Sequence, residues 1–192
     1  MFLVISGISG SGKSTIGLQL AKSLNLTYVD LDSFYLPQKP YVTLSINAKV
    51  KNWDTLEALD IEAIKLTIRE KAPNGLLSVG FTLRDDLFNE FKPYCHIHLS
   101  TGQTKDQIIE RCIASRQQSK TFSTSSALLL NNNALLLSNS ALVDKYTVEE
   151  VIYPFYVETV TKSTINHIVE VFDHNGQRRK INDIMTEITQ ML

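Results

Sequence analysis

The chain reads as an α/β protein with a doubly wound, parallel, five-stranded sheet flanked by helices. Three observations predict it. Apolar runs of strand length alternate with helix-period patterns, a G-x-x-x-x-G-K-S stretch joins the first strand to the first helix, and the second strand ends in carboxylates. A length of 192 residues suits one domain over 1–192, with a lid or insertion at 119–143.

The first strand covers 2–6, where Phe2, Leu3, Val4 and Ile5 are apolar, and the first helix runs from about Lys13 to Leu24 on the face Ile16, Leu20, Ala21, Leu24. Between them lies Gly7-Ile8-Ser9-Gly10-Ser11-Gly12-Lys13-Ser14-Thr15, a phosphate loop in its required strand–loop–helix context. A polyphosphate needs many N–H donors converging on its oxygens, and a backbone wraps that closely only where Cβ atoms are missing, as at Gly7, Gly10 and Gly12. The helix N-terminus adds partial positive charge. Lys13 is placed for the β- and γ-phosphates, Ser14 for a magnesium ion that bridges them, and Thr15 for support of the turn. Gly7, Ser9, Gly10, Ser11, Gly12, Lys13, Ser14 and Thr15 are therefore the expected phosphate-binding residues, for ATP with Mg2+.

A second strand, Thr27 to Asp30, leads into Asp30-Leu31-Asp32-Ser33-Phe34-Tyr35. Ligands bind at the C-terminal rim of a parallel sheet, so Asp32 is expected near the γ-phosphate. It is a base for a substrate hydroxyl, a magnesium partner through water, or a cap for the following turn. Asp30 is read as a cap.

Residues 36–53, with Pro37 and Pro40, are expected to be irregular. The lone tryptophan, Trp53, stands beside Asp54 ahead of a helix with Ile61, Ile64 and Ile68 on one face. The pair is a stacking platform with a hydroxyl acceptor, or packing with an N-cap. Strands three and four are expected at 76–81 and 94–99. His96 and His98 share a face of the latter without a third ligand at metal spacing, which favours a structural role.

A helix follows with Ile108, Ile109, Cys112 and Ile113 inward, leaving Arg111 and Arg116 as solvated surface or as phosphate clamps. Residues 121–143 carry no charge and repeat leucine, asparagine and serine at a seven-residue period. A local tandem duplication and a lid both account for that. A helix from about Asp144, kinked or restarted at Pro154, a fifth strand at 165–172, a turn at 173–176 and a last helix on Ile181, Ile184, Met185 and Ile188 complete the chain.

Nineteen basic against twenty acidic side chains leave no charge excess for a nucleic acid or an anionic membrane. Cys95 and Cys112 are expected as free thiols. The first apolar run is too short for a leader or a membrane span, which points to a soluble cytoplasmic protein. The expected partners are ATP and a small substrate, the chain being a monomer or a homodimer.

The phosphate loop, Asp32-Ser33-Phe34-Tyr35, the run Asn52 to Asp60, the Gly80-Phe81 strand end, Arg111 with Arg116, and Tyr153-Pro154-Phe155-Tyr156 together resemble the nicotinamide riboside kinases and the related uridine kinases. The resemblance implies transfer of the ATP γ-phosphate to the 5′-hydroxyl of a ribonucleoside. Nicotinamide riboside, feeding NAD biosynthesis, is the first substrate expected, because an indole face suits its cationic ring. Uridine or cytidine is the alternative. The resemblance further implies Asp32 as the base, Lys13 and Arg116 as its catalytic companions, and Arg111 on the ATP phosphates. It places Asp32, Tyr35, Trp53 and Asp54 on the substrate and Ser14 with Asp32 at the metal. One departure is Val79, which stands where the family carries an acidic residue, with Asp85 and Asp86 on the wrong side of Gly80 to replace it. That departure makes a nucleotide-binding pseudokinase a third reading, whereas a GTPase lacks its N-K-x-D motif here.

Overall fold

The computed structural model describes residues 1–80, 85–120 and 140–192. Strand β1 (Phe2–Gly7) is followed by α1 (Lys13–Ser23) and β2 (Thr27–Asp30), then by a short hairpin of β3 (Tyr41–Thr43) and β4 (Lys49–Lys51). Helix α2 (Ile61–Lys71), β5 (Leu76–Gly80), α3 (Asp85–Phe88), β6 (Cys95–Ser100) and α4 (Lys105–Lys120) come next. After the uncharged segment the chain forms α5 (Ser140–Thr147), α6 (Tyr153–Thr161), β7 (His167–Glu170) and α7 (Ile181–Met191). The sequence repeat at 126–143 falls mostly outside the described residues.

The main sheet has the order β2-β5-β1-β6-β7 with every pairing parallel. All six residues of β1 are buried, as a central strand covered on both faces requires. Its side chains alternate. Leu3 and Ile5 join Leu77, Val79, Ile97 and Leu99 under α1 and α7, while Phe2 and Val4 join Leu76, Ile64, Ile68 and Phe88 under α2. β1 is flanked by β5 on one side and β6 on the other, so the chain order reverses there and the loop after β1 opens at the switch point.

Two departures from the sequence reading have physical reasons. The segment expected to be irregular contains the β3–β4 hairpin, with Tyr41 opposite Lys51 and Thr43 opposite Lys49. Leu44 and Ala48 of its tip pack with Val143 and Val151, and the Ser45 amide donates to Glu150 Oε2 (2.9 Å). Long-range packing on the helices beyond the uncharged segment thus holds strands too short to be told by pattern. Ahead of Pro154 the helix widens through a π turn at Val148–Ile152, which the pattern did not announce, and runs on into α6 with the proline near its start.

Helix α1 approaches β5 at Gly17. A Cβ there would collide with Val79 Cγ2 and sit 3.3 Å from Leu77 Cδ2. Val79 is fully buried in that apolar cluster. It is a packing residue against α1, so a carboxylate in its place would enter hydrocarbon, a burial that is costly without a partner. Gly17→Ala is expected to lower stability because overpacking costs about 1–3 kcal/mol, against at most about 1 kcal/mol of added helix propensity. Urea midpoints should fall for Gly17→Ala, recover partly in the Gly17→Ala/Val79→Ala pair, and fall furthest for Val79→Glu.

Candidate functional site

The phosphate loop is shaped from both sides. Gly10 (φ 82°) and Gly12 (φ 87°) take left-handed conformations that L side chains rarely adopt, and Gly12 is the N-cap of α1. Ile8 is fully buried among Ile108, Ile109, Cys112, Val148 and Ile152, which pins the loop to α4 and the π turn. The Ser11 amide donates to the Ile8 carbonyl (3.0 Å), and the Cys112 thiol donates to the Ser9 carbonyl (3.8 Å). No acidic side chain lies in the first turn of α1, so its positive end is not neutralised locally. A cleft of about 420 Å³ opens there, lined by Gly10, Gly12, Lys13, Ser14, Thr15, Arg178 and Ile181.

At the end of β2 the two aspartates have separate tasks. Asp30 Oδ1 accepts from the Asp32 amide (3.0 Å) and Oδ2 accepts from the Tyr28 hydroxyl (3.0 Å). Asp30 is thus the N-cap of the Leu31–Phe34 turn. Burial, with Asp30 next, raises the pKa of the Tyr28 hydroxyl to about 12, and Ser14 nearby opposes that rise. Asp32 makes no side-chain hydrogen bond among the described residues. Its carboxyl retains solvent access, yet the rim around it withholds enough water to raise its pKa. The Lys13 ammonium pulls the other way and Asp30 adds to the rise. Asp32 and Lys13 therefore sense one another across the rim.

The donor set suits magnesium and a polyphosphate. Ser14 supplies a hydroxyl, Asp32 an uncommitted carboxylate, and the turn at Gly12 a stretch of backbone without Cβ atoms. These are hard oxygen ligands beside a cationic helix end.

The substrate-side residues gather around Tyr35. Its ring meets Trp53 edge-on at 5.2 Å, and Tyr35 bridges Leu59, which folds the Asn52–Asp60 stretch against the β2 rim. Burial, then Asp32, Asp54 and Asp30, raise the pKa of the Tyr35 hydroxyl. Asp54 does not cap α2. That position belongs to Asp60, which accepts from the Ala63 amide (3.0 Å). The Trp53 face expected to receive a cationic ring lies under the protein's own ammonium, with Lys39 Nζ 3.7 Å from the ring centroid. Lys39 also donates to the Leu36 carbonyl (2.7 Å), which holds it there.

Arg111 stacks on Phe172, its guanidinium 3.6 Å from the ring centroid, and its Nη1 is buried without a hydrogen-bond partner among the described residues. The side chain of Arg116 lies outside the described residues. Sequence reasoning missed three residues at the site: Tyr28, Lys39 and Arg178. The strand period puts Tyr28 on the same face as Asp30, a usable signal. Lys39 and Arg178 lie in loops, without a motif.

His96 and His98 serve the floor beneath the phosphate loop. Ser6 Oγ lies 2.7 Å from His96 Nε2 and 2.8 Å from His98 Nδ1, and His98 Nε2 lies 3.0 Å from the Tyr156 hydroxyl. Ser6 directly precedes Gly7, so the network supports the first residue of the loop. The described residues contain no group of three or more metal-ligating side chains, and no helix among them is long and apolar enough to cross a membrane.

Residues 9–80 match the family model of the shikimate kinases. A shikimate kinase 2 from Enterobacter is 34% identical over 80 residues, which is 42% of this chain and 42% of that protein. A pentafunctional AROM polypeptide from Lodderomyces elongisporus is 31% identical over 78 residues, 41% of this chain and 5% of its own length. The match thus spans less than half of the curated relatives. Among solved structures, a sugar kinase from Janibacter superposes with a TM-score of 0.52 at 15% identity, covering 99% of this chain and 92% of that one. The fold is that of P-loop kinases. The family model that matches is that of the shikimate kinases, where the sequence resemblance pointed to nicotinamide riboside and uridine kinases; the match runs from the phosphate loop to the end of β5.

The histidine floor predicts an acid sensitivity. Burial, with His96 next, holds His98 down to about 4 from an ordinary value of 6.5. Between these values the unfolded chain binds the proton that the folded chain refuses, so stability falls as pH drops from 6.5 and levels below 4. The full loss is about 3 kcal/mol. Urea midpoints measured between pH 7.5 and 4 should show this slope, and His98→Gln should lose the histidine part of it.

Proposed function

We propose that this chain is an ATP-dependent kinase that moves the γ-phosphoryl group onto a hydroxyl of a small hydroxylated acid. The observation that carries the reading is Asp32, an uncommitted carboxyl of raised basicity, in electrostatic contact with Lys13 of the phosphate loop. Asp32 accepts the proton as the substrate oxygen forms its bond to the γ-phosphorus and the bond from that phosphorus to the β–γ bridging oxygen breaks, leaving ADP. Lys13 and the loop amides hold the phosphate oxygens, and Lys13 stabilises the charge they carry. Ser14 and Asp32 would hold magnesium, which when bound neutralises phosphate charge. Arg111 and Arg116 are retained as phosphate-binding candidates on α4.

Lys39 supports the choice of an acid as substrate. An ammonium already seated on Trp53, with Lys51 close enough to lower its pKa after burial does, disfavours a second cation and attracts a carboxylate. The relatives named for shikimate, a hydroxylated carboxylic acid, support the same choice. Asp54 beside Tyr35 favours a second reading, a riboside such as nicotinamide riboside or uridine held by its paired hydroxyls.

The test is ATP-dependent phosphorylation across shikimate, gluconate, nicotinamide riboside and uridine. Turnover of an acid is expected, with Lys39→Ala raising KM for the acid. Asp32→Asn should cut kcat by about 10²-fold or more while ATP affinity stays within about threefold. Turnover of a riboside alone would overturn the substrate class, and ATP binding without transfer to any of the four would make the chain a pseudokinase.

A further inference from the structure

The loop after β7 brings an arginine onto the phosphate loop from the opposite edge of the sheet. Asp173 organises that loop. Its Oδ1 accepts from the amides of Asn175 (2.9 Å) and Gln177 (2.8 Å), its amide donates to the Gln177 carbonyl (2.8 Å), and Gly176 turns the chain at φ 72°. Phe172 then pairs with Arg178, which returns the chain to the rim. The Arg178 guanidinium donates from Nη1 to the Gly10 carbonyl (3.1 Å) and from Nη2 to the Ser11 carbonyl (2.9 Å). It lies so close over Gly12 that a Cβ on that residue would collide with Nη2. Arg178 also lines the cleft shared with Lys13, Ser14 and Thr15.

These contacts have a chemical meaning. The turn made by the two left-handed glycines presents the Gly10 and Ser11 carbonyls to Arg178, which takes both while lining the cleft. A guanidinium has five N–H donors, so two bonds to the loop leave three in a cleft that already holds an ammonium. Two cations beside one helix N-terminus repel each other unless an anion lies between them.

We propose that Arg178 is a polyphosphate-binding residue, delivered in cis by the loop after β7, that braces the phosphate loop through Gly10 and Ser11 and turns its remaining donors to the nucleotide. The inference rests on the kinase reading, because that reading puts a nucleotide at the loop. Lysine does not replace it, since one ammonium cannot present the same planar fork to two carbonyls and an anion.

The experiment is calorimetric titration of the full chain with Mg-ATP and, separately, with inorganic tripolyphosphate. Arg178→Ala is expected to weaken both by about tenfold, consistent with the loss of charge-assisted hydrogen bonds. Arg178→Lys should recover only part, and millimolar methylguanidine added to Arg178→Ala should restore some affinity. Asp173→Ala, which releases the loop but keeps the arginine, should weaken both ligands less than Arg178→Ala. A merely structural role would lower thermal stability without methylguanidine rescue, and that result overturns the proposal. Unchanged or tighter binding by Arg178→Ala, with wild type binding ATP, also overturns it and leaves the kinase reading standing. Wild type that binds neither ligand defeats both.

Discussion

The phosphate-loop end of this protein depends on the turn made by Gly10 and Gly12. Left-handed backbone at both positions coils the loop ahead of α1, with the Ser11 amide returned to the Ile8 carbonyl. An exposed carbonyl is satisfied by water, but water does not fix a loop. Here the loop is tied to protein instead, with the Ser9 carbonyl on Cys112 and the Gly10 and Ser11 carbonyls on Arg178. Ile8, buried below, prevents the loop from lifting. The cradle is thus held before any ligand arrives, which lowers the ordering cost of binding.

Sheet order explains how residues so far apart in sequence converge. β1 is central, β2 and β7 are the two edges, and all strands point the same way, so their C-terminal ends share one rim. Asp32 enters from one edge and Arg178 from the other, with the loop after β1 between them. The hydrophobic layers under α1 and α2 make that rim rigid, and the close contact of Gly17 with Val79 sets how near the α1 N-terminus comes to β5. A carboxylate at Val79 would therefore alter the fit of the helix that carries Lys13, which is why its absence tells little about catalysis.

Much of this was legible in the sequence because local chemistry dictated it. The glycine spacing, the alternation in β1 and the i, i+3, i+4, i+7 pattern of α7 each encode their element without help from distant residues. The parts that were not legible are those fixed by long-range contact. Three-residue strands at Tyr41 and Lys49 carry too little pattern to outweigh Pro37 and Pro40, and they exist because Leu44 and Ala48 have a partner surface on α5 and the π turn. Trp53 was read as a stacking platform or as packing, and Lys39, which lies over its ring, stands fourteen positions earlier with nothing in the pattern to pair them. Arg178 follows a recognisable turn, yet only the sheet order puts that turn beside Gly12.

Asp32 stands under opposed influences at its point of the rim. Withheld solvent raises its pKa, Asp30 adds to the rise, and Lys13 alone among the named influences opposes them. Asp30 has both carboxylate oxygens engaged, one by the Asp32 amide and one by Tyr28, so its position relative to Asp32 is fixed. On the proposed reading, phosphate oxygens drawn to Lys13 spend part of that ammonium's charge, and the arriving nucleotide with its magnesium still carries net negative charge. Magnesium held by Ser14 and Asp32 would favour the ionised carboxylate, the form that accepts a proton. Tyr28, bonded to Asp30 and close enough to Ser14 to feel its hydroxyl, lies between the aspartate pair and the residue that would hold the metal.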